Sequence, residues 1–258
     1  MEKDNNLYKT IKVYEQHSAA VIQIYRPEAE NSINTQLLKE IRVVLDLLES
    51  DDTVKVIILE GLPDSFCTGM DLNEIKDAQQ TDRCDSEAYY EILKHFSFCS
   101  KIIISKIAGK VNAGGIGLIA ASDIVLADEK AVFSLSEALF GLLPACVLPF
   151  LIRRIGYQKS LYLSITTQSI SALRAYELGL VDEVSADLNE NLRRNLLRLN
   201  RLDVDTIKSL KDFMARLWII DEQTQKLAVG KIDSLIKSEK VQMNVRNFLE
   251  RGVYPWNR

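Results

Sequence analysis

The 258-residue chain is 47% hydrophobic and 26% charged, enough for one substantial core that hides roughly 70–75% of the unfolded surface from water. Its net charge of −4 lacks the basic excess of a nucleic-acid binder, and no uninterrupted apolar run approaches the roughly 20 residues that span a bilayer. The cysteines, at 67, 84, 99 and 146, have no C-x-x-C spacing, and the polar start Met1-Glu2-Lys3-Asp4-Asn5-Asn6 lacks a signal peptide's apolar stretch, so a reduced, cytoplasmic setting is expected.

In chain order, strands over residues 10–14 and 20–25 are expected to form a hairpin turning at His17. After the loop Arg26-Pro27-Glu28-Ala29-Glu30, residues Leu37, Leu38, Ile41, Val44, Leu45 and Leu48 recur at helical spacing. Residues 54–59 read as a strand ending at Gly61. A polar stretch over 76–86 precedes a helix over 87–99, and the β-branched run 102–107 is another strand. A helix opens at Gly114, and strands over 124–127 and 132–135 follow it. Strand and helix alternate, the signature of an α/β core with parallel strands. From about residue 189 the pattern is helical, with Arg193, Arg194, Arg198 and Arg201 on one helix, an amphipathic helix over 221–236 and the aromatic tail Gly252-Val253-Tyr254-Pro255-Trp256. The division expected is an α/β core over 1–188 and a helical region over 189–258, packed on the core or on a neighbouring subunit.

Two segments belong together chemically: Phe66-Cys67-Thr68-Gly69-Met70-Asp71-Leu72 and Gly109-Lys110-Val111-Asn112-Ala113-Gly114-Gly115-Ile116-Gly117. Each follows a strand-like run, so each can set backbone N–H groups at a strand's carboxyl end, where α/β sheets hold ligands. Two such groups facing one point make an oxyanion hole, and the glycines and helix start at 114 favour a bound carbonyl. Two other readings stand beside this one. Gly115-Ile116-Gly117-Leu118-Ile119-Ala120 matches the dinucleotide pattern G-x-G-x-x-A, or the glycines simply permit close helix–sheet packing. Asp71 reads best as the N-cap of a helix starting at Leu72. Only two histidines exist, His17 and His95, neither near a Gly-rich turn, so imidazole triads and metal sites are disfavoured and a carboxylate is left to move protons. Glu137 is that carboxylate, unless Ser134-Leu135-Ser136-Glu137 is merely a capping box, S-x-x-E.

The ordered set Arg26-Pro27-Glu28-Ala29, Asn34, Phe66–Leu72, Gly109–Asp123, Phe133–Glu137 and Ala175-Tyr176-Glu177-Leu178-Gly179-Leu180-Val181 resembles the enoyl-CoA hydratase (crotonase) superfamily along essentially the whole chain. The resemblance implies ββα units spiralling into a core, C-terminal helices that build trimers or dimers of trimers, and oxyanion N–H groups at Met70 and Gly114. Hydratases of this family carry two glutamates. The second falls on Glu137, but the first falls at Gly117, which has no side chain, so simple hydration of a straight-chain enoyl-CoA is in doubt.

The stretches Gly109–Gly115, Phe133–Glu137 and Leu143–Arg154 look like the first crotonase-type enzymes of polyketide β-branching cassettes, bacillaene-type members included. These dehydrate 3-hydroxy-3-methylglutaryl groups on an acyl carrier protein, and a partner crotonase-type enzyme then decarboxylates the product. The resemblance thus implies an acyl thioester substrate, Glu137 as acid/base, and no cofactor beyond the substrate's own phosphopantetheine or CoA arm. A distal substrate carboxylate needs donors, for which Lys110, Asn112, Arg83, Lys94 and His95 are candidates. An acidic carrier needs a positive patch, at Arg193/Arg194/Arg198/Arg201 or at Arg153/Arg154. The alternatives are a crotonase-fold hydratase, isomerase or decarboxylase, a nicotinamide-dependent oxidoreductase, and a non-catalytic crotonase-fold scaffold.

Overall fold

Runs of Val and Ile too apolar to face water on either side mark the centre of the molecule. The computed structural model describes residues 7–77, 85–218 and 221–257. An antiparallel hairpin, β1 (Ile11–Gln16) and β2 (Ala19–Ile24), turns through His17 and Ser18, both at positive φ (49° and 64°), the backbone sense that matches strand twist in a two-residue turn. Helix α1 (Thr35–Glu49) follows, its first turn capped by the Asn34 side chain, which accepts from the Leu37 N–H at 2.8 Å. Then come β3 (Val56–Glu60), β4 (Ser65–Cys67), α2 (Leu72–Asp77), α3 (Ser86–Phe98), β5 (Ile102–Ile107), β6 (Lys110–Asn112), α4 (Gly114–Ala121), β7 (Ile124–Asp128) and β8 (Val132–Ser134). After a 3-10 turn at Glu137–Phe140 the chain continues through α5 (Leu148–Ile155), α6 (Tyr157–Thr166), β9 (Ile170–Ser171), α7 (Ala172–Leu178) and β10 (Glu183–Ser185). It ends in α8 (Leu188–Leu199), α9 (Val204–Arg216), α10 (Glu222–Ile236) and α11 (Glu239–Arg251).

The strands divide between two sheets. The larger has the order β1-β2-β3-β5-β7-β10 and is parallel from β2 onward. The smaller has the order β4-β6-β8-β9, with β9 antiparallel. Each turn of the chain contributes one strand to the large sheet, one to the small sheet and then a helical segment: β3-β4-α2, β5-β6-α4, β7-β8 and the 3-10 turn. This is the ββα spiral that the resemblance implies. Its regular advance brings the ends of β4 and β6 side by side.

Both faces of the large sheet are covered, as a parallel sheet requires. One face carries the main core under α1, α3 and α4. On the other, Val21, Val56, Ile58, Ile104 and Leu126 meet Leu188, Leu192 and Leu196 of α8 and Ile207 of α9. Buried Lys211 fastens α9, donating to the carbonyls of Lys101 (2.7 Å) and Phe96 (3.2 Å) and pairing with Asp123 (2.6 Å). Helix α11 lies against α2, where the Gln242 amide donates to the Ile75 carbonyl at 2.7 Å. No helix among the described residues is long and apolar enough to cross a membrane.

Candidate active site

The site begins with a frame that holds the segment after β4. Arg26 and Asp71 form a buried ion pair at 3.0 Å, and Arg26 also donates to the Ser32 carbonyl at 2.5 Å. Burial raises the Asp71 pKa, but hydrogen bonds from Arg26 and Asn73 outweigh it and hold the carboxyl below its ordinary value. Asp71 is also the expected N-cap, accepting from the Asn73 N–H at 3.0 Å. The Asn31 amide donates to the carbonyls of Ile24, Ser65 and Phe66. Loop 26–34 and segment 65–71 therefore move as one piece.

Within this frame Ile33 bridges Met70: its N–H donates to Gly69 O (2.7 Å) and its carbonyl accepts from Asp71 N (2.8 Å). The Met70 N–H between them has no acceptor among the described residues. Gly69, at φ +94°, makes the turn, and a Cβ there would stand 2.7 Å from Ala113 Cβ and 3.2 Å from Gly114 N. Ala113 enters α4 at φ 48°, ψ −117°, a sparsely populated conformation worth about 1–3 kcal/mol of strain. The Gly114 N–H, first in its helix, has no intrahelical acceptor. The structure thus brings the two free N–H groups at 70 and 114 against each other across the sheet ends. Gly115 serves packing, since a Cβ there would meet the Cys67 carbonyl oxygen at 2.5 Å.

The two segments open onto an apolar cavity of about 130 Å³, with Met70, Tyr89, Asn112, Gly114 and Glu137 in its wall. Glu137 is half-buried as a residue, with its carboxylate oxygen Oε2 closed off from solvent. Its Oε2 has no hydrogen-bond partner, and desolvation raises its pKa from 4.5 to about 7, only partly offset by its own backbone N–H. The capping-box reading fails here. Ser134 does not cap; its hydroxyl donates to Asn112 Oδ1 at 2.8 Å, and Glu137 begins a 3-10 turn with no side-chain cap. A dinucleotide at the start of α4 would set its pyrophosphate beside this unpaired carboxylate, a like-charge contact that disfavours that reading.

The candidates for a distal carboxylate separate clearly. Asn112 lines the cavity, with Oδ1 engaged by the hydroxyls of Ser134 and Ser136 (2.8 and 3.0 Å). Lys110 does not line it; it is exposed, 3.9 Å from Glu30. Lys94 and His95 were expected there and are not. Tyr89 and Leu93, one turn apart, define the face of α3 toward α4, where both meet Gly117. Lys94 instead pairs with Glu91 and donates to Gln225 of α10, and His95 Nε2 lies 3.0 Å from the Glu49 carboxylate of α1. Arg83 lies outside the described residues. Arg153 and Arg154 do not form a docking patch: Arg154 pairs with Asp182 and donates to the carbonyls of Ser122 and Leu180, and Arg153 sits 4.8 Å above the Trp218 ring. Arg193, Arg194 and Arg198 lie on α8, but Arg201, expected on the same helix, falls beyond its end at Leu199; Arg194, Arg198 and Arg201 line a surface groove with Glu183.

Sequence reasoning did not single out Tyr89 of α3, or Ile232 and Ile236 of α10, which the fold brings into the cavity wall. The helical spacing of Tyr89 and Leu93 marks a buried face but not what that face meets.

The family model described as enoyl-CoA hydratase/isomerase matches residues 14–258. The bacillaene synthase dehydratase PksH of Bacillus subtilis is 42% identical over 252 residues, covering 96% of this chain and 97% of that protein. The hydroxycinnamoyl-CoA hydratase-lyase of Pseudomonas fluorescens is 29% identical over 242 residues, 88% of this chain and 86% of the relative. A crystal structure described as a putative polyketide biosynthesis enoyl-CoA hydratase (pksH) from Bacillus subtilis superposes with a TM-score of 0.90 at 42% identity, covering 96% of this chain and 100% of that one.

Proposed function

The chain belongs to the enoyl-CoA hydratase/isomerase family and is a hydro-lyase, and from that premise we propose that it dehydrates 3-hydroxy-3-methylglutaryl groups held as thioesters on an acyl carrier protein, giving 3-methylglutaconyl-carrier protein during polyketide β-branching. The observation that carries this reading is the unpartnered buried Glu137 carboxylate in one cavity with the free N–H groups of Met70 and Gly114. The 42% identity to a dehydratase of bacillaene synthesis supports the polyketide assignment.

In this mechanism the thioester carbonyl lies between the two N–H groups. Glu137 takes the C2 proton, and the electron pair moves onto the carbonyl oxygen as an enolate. The enolate then collapses, C2=C3 forms, the C3–O bond breaks, and the departing hydroxyl takes the proton back from Glu137 as water. Each oxyanion donor is worth about 10²–10³-fold. The sequence exchanges protons but no electrons, so a carboxylate and two N–H groups suffice without a further cofactor. The free amide N–H of Asn112 is the donor we assign to the distal carboxylate, because its oxygen is already engaged by two serines. The acidic carrier docks on the arginines of α8, a partner crotonase-type decarboxylase consumes the product, and the apolar side chains exposed on the C-terminal helix α9, Leu210, Phe213 and Met214, pack between subunits of a trimer.

Intact-protein mass spectrometry of carrier protein loaded with the 3-hydroxy-3-methylglutaryl group tests the reading. Loss of one water with wild type, and none with Glu137→Gln, is the expected result. Loss of carbon dioxide, or no change with wild type, would overturn it.

A further inference from the structure

Elimination of a tertiary hydroxyl asks for more than one proton carrier. The hydroxyl must also be aimed, and the charge that gathers on its oxygen as C3–O stretches must meet a donor. Glu137, occupied with the C2 proton, cannot be that donor until it has been protonated. The cavity wall holds a second buried protic group, Tyr89, which is 4% exposed. Its hydroxyl donates to the Gly114 carbonyl at 2.6 Å, beside the helix start whose N–H faces the thioester in the reading above.

Gly117 shows that this phenol has a reserved place. A Cβ at 117 would stand 2.0 Å from the Tyr89 hydroxyl oxygen, with Val147 at 3.1 Å and Leu93 at 3.2 Å beyond it. Any side chain there would displace the hydroxyl. Tyr89 and Gly117 are therefore one steric unit: the phenol fills the volume that glycine leaves, and the cavity wall described here contains one carboxylate and one phenol.

We propose, resting on the dehydratase reading, that Tyr89 is a second catalytic residue, which donates its hydrogen bond to the departing 3-hydroxyl and remains protonated throughout. Turning the O–H from Gly114 toward the substrate only rotates the C–O bond. It leaves no orphan, because the Gly114 carbonyl keeps the i to i+4 partner of its helix. Burial, together with the negative charges of Cys146, Cys67 and Glu137 in their ionised forms, holds the phenol well above its ordinary pKa, so it stays a donor at working pH. The proton balance is unchanged: C2–H and C3–O break, C2=C3 forms, and water leaves with the proton that Glu137 carried.

The test separates elimination from C2 proton removal. Wild type and Tyr89→Phe are given two thioesters in deuterated water: the 3-hydroxy-3-methylglutaryl substrate, which can lose water, and the 3-methylglutaryl analogue, which can exchange its C2 hydrogen but has nothing to expel. Tyr89→Phe is expected to slow elimination by about 10²-fold, the range of one donor to developing charge, while exchange on the analogue stays near the wild-type rate. Gly117→Ala should copy this pattern by pushing the phenol aside, and adding it to Tyr89→Phe should slow elimination little further. Unchanged elimination in Tyr89→Phe, or an equal loss of elimination and exchange, would overturn the assignment, the second outcome marking a structural role at the α4 terminus. A wild type that exchanges but releases no water would instead remove the dehydratase reading, and this inference with it.

Discussion

Glu137→Gln should make the protein more stable while abolishing its chemistry, by an amount set by pH. The Glu137 carboxyl has a pKa of about 7 folded, against 4.5 for the ordinary group, because burial removes its water without supplying a partner for Oε2. Between these values the folded state binds the extra proton, so stability falls as pH rises through this window, and above pH 7 the whole penalty is present. At about 1.4 kcal/mol per pKa unit, the penalty at pH 8 is about 3 kcal/mol. Gln resembles the protonated form in shape and carries no charge, so the variant escapes it. Urea unfolding of both proteins from pH 5 to pH 8 should give a gap that opens from about 1 kcal/mol to about 3 kcal/mol in favour of Gln, the latter roughly 6–12 °C in Tm for a chain of this size. Taking the difference between the two proteins cancels the other titrating groups. Turnover of the variant should fall by about 10²–10⁴-fold, and wild-type kcat/KM should rise with pH through about 7 as the base ionises. A stability gap that does not change with pH would refute the argument that this carboxyl is buried without a partner.

Asp71→Asn leaves the buried Arg26 guanidinium with only the exposed Glu28 carboxylate, 3.5 Å from its Nε, as counter-charge; the Arg26 and Asp71 side chains are about one-tenth exposed. A loss of about 3–5 kcal/mol by urea unfolding at pH 7 is expected, shrinking at acid pH as the wild-type carboxyl itself becomes protonated. Two helical glycines should respond oppositely by thermal melting. Gly115→Ala forces a Cβ to 2.5 Å from the Cys67 carbonyl and should destabilise, whereas at Gly230 nothing lies within 4 Å and Ala should stabilise α10 by about 1 kcal/mol. Reversing charge at Arg198 and Arg201 should weaken turnover of the carrier-linked substrate and spare a short pantetheine thioester. Equal effects on both would remove α8 as the docking surface.

Much of the scaffold was readable because the forces that write it are local. The apolar spacing of Leu37 to Leu48 marks α1, the continuous β-branched runs mark β3 and β5, and Asp71 announces a helix start within a turn of itself. Gly115 drew notice because close helix–sheet packing excludes a Cβ, which is what the Cys67 carbonyl, 2.5 Å from such an atom, demands. Glu137 was identifiable as a residue but not as a site, since Ser134-Leu135-Ser136-Glu137 fits a capping box equally well on paper. The structure decides this by sending the Ser134 hydroxyl to Asn112.

What the sequence could not express depends on contacts between residues far apart along it. The strands β4 and β6, three residues each, are too short to carry a pattern, and their grouping with β8 into a second sheet follows from pairing alone. Lys94 and His95 look eligible beside Tyr89 until the packing of α3 fixes which face is turned inward. Arg153 and Arg154 read as a surface patch, but the fold brings the Ser122 and Leu180 carbonyls and Asp182 to Arg154 and lays Arg153 over the Trp218 ring. The sequence by itself determined the helices, the main strands, the glycine positions and the one eligible carboxylate, because propensity, periodicity and steric need act over a few residues. Only the tertiary structure decided that a carboxylate, a phenol and two free N–H groups share one cavity, because that depends on where successive ββα turns lay their strand ends and on which face each helix presents.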